Sequence, residues 1–106
     1  MTDNITSEDM AVYARNLQGP ARLNAYISYY STISQDVAHI QQLRQEKLSM
    51  PVLALGGDHG KGETVGKQVQ QYAAHMRSVV IANSGHWLPE EHPEEIARHL
   101  ISFFEE

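Results

Sequence analysis

The residues of this chain best suited to chemistry are a histidine on a turn and a pair of tyrosines. His86 lies in Asn83-Ser84-Gly85-His86-Trp87, directly after the apolar run Val79-Val80-Ile81-Ala82. A short apolar run bounded by turn residues reads as a strand buried on both faces. In open parallel sheets, ligands gather beyond the carboxyl ends of the strands. An imidazole placed there suits a general base. On spacing alone, a purely structural histidine fits the pattern equally well. Trp87 would add an apolar wall beside the imidazole. The second candidate is Tyr30, in Tyr29-Tyr30. Packed aromatics on a helix face are the default for such a pair. The alternative is a phenol that donates a hydrogen bond to a substrate oxygen.

Two other chemistries fail on spacing. The loop Gly56-Gly57-Asp58-His59-Gly60-Lys61-Gly62 invites a phosphate-binding reading. A phosphate loop needs Gly, four residues, then Gly-Lys and Ser or Thr. Here Gly66-Lys67 is followed by Gln68, and Lys61 stands five before Gly66. The dinucleotide fingerprint matches Gly60 and Gly62 but meets Val65 at its third small position. The loop therefore reads as a turn, and no nucleotide cofactor is expected. His59, His86 and His92 could approach one another at strand ends, yet no pair shows the spacing of a helical zinc site, and there is no cysteine. No metal is expected. His39, His75 and His99 read as solvated helix positions.

The elements that must position these residues follow from periodicity. Thr6 or Ser7 caps a first helix with Glu8 and Asp9 in its opening turn and Met10, Tyr13 and Leu17 along one face. Gly19-Pro20 breaks it, and Pro20 opens a second helix lined by Leu23, Tyr26, Ile27 and Tyr30. A third helix begins near Gln35-Asp36, with Val37, Ile40 and Leu43 as its apolar side. Beyond Pro51 the pattern changes. Val52-Leu53-Ala54-Leu55 reads as a strand, Val65, Val69, Tyr72 and Met76 as a helix, and 79–82 as a second strand. Pro93, with Glu94 and Glu95, opens a last helix whose inner stripe is Ile96, Leu100 and Phe103, joined by Phe104. Strand–helix–strand–helix implies parallel strands joined by a right-handed crossover. The fold class is α/β, with helices in the first half.

Composition narrows the function. The 106 residues carry a formal charge of −5, with their eight Lys and Arg scattered, which argues against a nucleic-acid partner. No apolar run approaches the ~20 residues of a membrane span. Residues 1–15 are polar and acidic, without a visible secretory signal. These features, with the absence of cysteine, suggest a cytoplasmic protein.

The stretches LSMPVLALGGDHGKG and VVIANSGHWLPEEHPEEIARHLISFF, taken together, resemble the carboxyl end of an α/β hydrolase. They are most similar to the epoxide hydrolase and haloalkane dehalogenase branch, whose Gly-His-Trp or Gly-His-Phe turn presents a catalytic histidine. The similarity covers residues 48–104. Upstream, Tyr29-Tyr30-Ser31-Thr32-Ile33-Ser34-Gln35-Asp36 resembles the end of the epoxide hydrolase cap, with Ser31 in place of the usual arginine. The resemblance implies an incomplete α/β hydrolase fold. Residues 1–48 would be cap-derived helices, and residues 49–106 the carboxyl part of the core.

By the same resemblance, His86 would activate water to hydrolyse an ester intermediate, and Tyr30 would stabilise the alkoxide formed when an epoxide opens. Trp87 would line the substrate site. The substrate of the full-length parent would be a small apolar epoxide or ester. The nucleophile elbow, a Gly-x-Asp/Ser-x-x-Gly-like turn, is not in this sequence, and neither is the oxyanion-hole loop. A family position for the orienting acid falls on Gly60; Asp58, two residues earlier, is a poor substitute. The chain is accordingly expected to be inactive alone. The alternatives are a fragment of a serine esterase, or a non-catalytic module that self-associates through an exposed sheet edge into a homo-oligomer.

Overall fold

The computed structural model describes residues 5–106. Residues 1–4, which open both the polar stretch 1–15 and the segment 1–48 expected to be cap-derived, lie outside the described residues. The chain divides into a helical unit, Ile5–Gln45, and a unit built around a sheet that takes in Glu46–Glu106.

The helical unit contains α1 (Ser7–Asn16), α2 (Pro20–Ser28), a 3-10 turn (Tyr29–Thr32) and α3 (Ile33–Leu43). Thr6 caps α1. Its hydroxyl accepts the Asp9 N–H at 3.1 Å, and the Asp9 carboxylate accepts the Thr6 N–H at 2.9 Å. This reciprocal capping box satisfies two amide donors that the helix itself leaves free. The Thr6 hydroxyl and then its amide hold the Asp9 carboxyl below its ordinary pKa. Gly19, at φ 92°, makes the corner, and Pro20 starts α2 as expected. The Arg22 guanidinium donates to the Arg15 carbonyl at 3.3 Å, tying α2 to the last turn of α1. None of the three helices buries a residue. Their apolar stripes, among them Ile27 and Val37, remain about half exposed.

The sheet consists of β1 (Leu48–Gly57) and β2 (Ala73–Ile81), paired in parallel through the crossover helix α4 (Glu63–Val69). The order and direction agree with the sequence reading, but the lengths do not. Both strands run well beyond their apolar centres. β1 starts before Pro51, where the ladder is irregular, as a residue without an N–H requires. The helix expected to continue through Tyr72 and Met76 ends at Val69, and Met76 instead pairs with Val52. Val65, Val69, Tyr72 and Met76 keep helical spacing, yet strand pairing with β1 outweighs it. His75 therefore lies on β2 and not on a helix.

The core is small: Ala54, Ala73, Ile81 and Ile96 are its buried apolar residues. The strands were expected to be buried on both faces, and they are not. Val80 is 40% exposed and Met50 56%, because the described residues supply a two-stranded sheet with α4 packed against it. A short helix, α5 (Leu88–Glu91), precedes α6 (Pro93–Phe104) and was not anticipated. On α6, Ile96 is buried and Phe103 is partly covered, whereas Leu100 and Phe104 turn outward. The Arg77 guanidinium stacks over the Phe103 ring at 5.6 Å and pairs with Glu106, which fastens the end of α6 to β2. No helix of the described residues is long and apolar enough to cross a membrane.

Candidate active site

The strands end in register, Gly57 opposite Ile81, so the loop after β1 and the turn after β2 leave the sheet side by side. Asp58 N–H donates to the Ile81 carbonyl at 3.0 Å, and His59 N–H to the Ser84 carbonyl at 2.9 Å. This close approach explains the glycines. A Cβ on Gly57 would overlap the carbonyl oxygens of Ser84 and Gly85, and one on Gly60 would lie 2.9 Å from the Gly85 oxygen. The Gly-rich loop is thus a contact surface for the histidine turn.

Two carboxylates hold that turn. Asp58 Oδ2 accepts the Asn83 N–H at 3.0 Å, and Oδ1 accepts the Ser84 N–H at 3.1 Å. The Asn83 hydrogen bond is the main influence drawing the Asp58 carboxyl below its ordinary pKa. Partial desolvation opposes it, and the Ser84 amide and His59 add to it. Asn83 adopts φ 55°, a left-handed conformation that asparagine tolerates better than most residues. Its carbonyl lies 3.2 Å from His92 Nε2. On the other side, Glu91 is only 6% exposed. Its Oε2 accepts the Gly85 N–H at 2.7 Å, and its Oε1 accepts the Trp87 N–H at 3.0 Å.

His86 projects from between these anchored amides and is exposed. Its ring meets Trp87 edge-on, with centroids 5.0 Å apart and planes at 83°. Trp87 is itself 54% exposed, so both rings are open to solvent. His86 and Trp87 are therefore together. Asp58 binds the backbone of the turn, and its histidine neighbour is His59, 3.8 Å away. Tyr30 belongs to the helical unit, on the 3-10 turn, and is 60% exposed. Its ring is edge-on to Tyr26 at 6.1 Å, and a hydrogen bond to Tyr30 raises the Tyr26 pKa.

Glu91 went unnoticed at the level of sequence. A signal was present: an acid four residues after Trp87, beyond a proline, can reach back to free amides as a capping-box acid does, from one position later than usual. Chemically, an exposed imidazole on a backbone held from both sides can take a proton from water.

The soluble epoxide hydrolase of Corynebacterium sp. (strain C12) is 29% identical over 100 residues, 93% of this chain and 34% of that protein. Among solved structures, epoxide hydrolase CorEH superposes with a TM-score of 0.89 at 28% identity, over 96% of this chain and 36% of that one. This chain is part of an epoxide hydrolase-like α/β hydrolase fold. The crystal structure of Cfl2 from Burkholderia cenocepacia agrees, with a TM-score of 0.86 at 32% identity over 96% of this chain and 35% of that one. The chain spans about a third of the length of these relatives, and corresponds to their carboxyl-terminal portion. No protein-family model matches it.

Proposed function

We propose that this chain supplies the histidine turn of an epoxide hydrolase-like enzyme, with His86 as the base that activates water, and that these residues alone do not hydrolyse epoxides. The observation that carries the reading is the exposed His86 on an anchored turn at the carboxyl end of β2. In the two-step chemistry the family resemblance implies, an aspartate opens the epoxide to form an ester, and the histidine then delivers water to that ester. Tyr30 would donate a hydrogen bond to the oxygen released in the first step. Trp87 would form an apolar part of the substrate site, and the substrate would be a small apolar epoxide.

The first step needs an attacking carboxylate on an elbow, which these 106 residues do not contain. Loss of one member of a catalytic triad costs about 10⁴-fold or more in rate. The purified chain is therefore expected to show no turnover of epoxides or activated esters. In a longer protein that joins this sequence to an elbow, His86→Ala is expected to lower turnover by about 10⁴-fold. Turnover by the chain alone, or an undiminished His86→Ala enzyme, would overturn the reading.

A second reading rests on the sheet. Parallel sheets are normally covered on both faces, and two strands alone are marginal. The exposure of Val80 and Met50 favours association of two copies along the strands, giving a non-catalytic module.

A further inference from the structure

We infer that Glu91 is the positioning residue for His86, acting with Asp58 as a two-carboxylate clamp on the backbone of the histidine turn. The inference deepens the reading of His86 as a base and rests on it. The amides of Asn83 and Ser84 donate to Asp58, and those of Gly85 and Trp87 donate to Glu91. The turn is thus gripped from the loop after β1 on one side and from α5 on the other.

Glu91 has the larger share in placing the imidazole. Its two oxygens hold the amides immediately before and after His86, at 2.7 and 3.0 Å. Fixing both neighbours leaves the His86 Cα little freedom to translate or twist. The carboxylate is buried, where a charge persists only if it is well hydrogen-bonded. A glutamine could satisfy one amide through its oxygen, but its NH₂ would oppose the other N–H, donor against donor. Gly85 fits the arrangement: a Cβ there would stand 3.0 Å from Glu91 Oε1.

Amide exchange and ring contacts, measured by NMR on the whole chain without substrate, test this separately from turnover. In the wild-type protein, the Gly85 and Trp87 amides should be protected, and a cross-peak should join the His86 and Trp87 rings. In Glu91→Gln, exchange of those two amides should quicken about tenfold or more, the scale of one charge-assisted hydrogen bond. The ring cross-peak should be lost while the amides of β1 and β2 keep their protection. Unchanged Gly85 and Trp87 protection, or a retained ring contact, overturns the proposal. If Glu91→Gln fails to fold, Glu91→Asp keeps the charge and shortens the reach. It should loosen the same two amides and the ring contact with the strands intact. If both variants unfold, Glu91 is a folding residue, and the positioning role is refuted.

Discussion

In the sequence, Asp58 reads as a poor substitute for the orienting acid. It stands near the family position for an orienting acid, yet its carboxylate is occupied by the amides of Asn83 and Ser84. Those bonds depress its pKa, with the Asn83 amide first. A carboxyl lowered in the folded state stabilises the fold above the ordinary aspartate pKa. That stabilisation is lost as the pH falls through the depressed value. Asp58→Asn should therefore be less stable than the wild type at neutral pH, and the difference should shrink and vanish in acid. Urea titrations of both proteins at neutral pH and in acid measure it; a constant difference would show that Asp58 does not act through its charge. The placement of His86 on a turn after a strand was legible, because a Gly-His turn after an apolar run is a local pattern. Glu91 was not, because burial of an acid in a polar stretch depends on where the chain folds back.

Among the elements, the parallel pair was legible from its apolar centres, 52–55 and 79–82, and their ends were not, β2 stopping at Ile81. The pairing of Leu48 with Ala73, far from those centres, is decided by the neighbouring strand. Tyr72 and Met76 mislead because helical spacing alone cannot register a strand partner. The reason for the Gly-rich loop lies in its contact with the histidine turn, which its sequence does not show. Gly57→Ala should force the two segments apart, at a cost of about 1–3 kcal/mol, the usual range for overpacking. Trp87 is the only tryptophan in the chain, so its fluorescence should shift along with the lowered denaturation midpoint. An unshifted spectrum and midpoint would mean that the turn absorbs the methyl group.

For the whole molecule, the notable imbalance is the small buried core beside apolar strand residues such as Val80 and Met50 that remain exposed. Natural sheets guard exposed strands with charge, and lysine on a strand disfavours pairing with another chain. Size-exclusion chromatography with light scattering should give a dimer or larger species at low micromolar concentration, and Val80→Lys should move it toward monomer. A clean wild-type monomer under those conditions rules out self-association. The fastening of the histidine turn has a further consequence. Asp58, Gly57 and Glu91 all lie within Glu46–Glu106, so the turn brings its own scaffold. The helices of Ile5–Gln45 can then diverge, or be exchanged for others, while the backbone that carries His86 keeps its bearing: the two units can evolve at separate speeds.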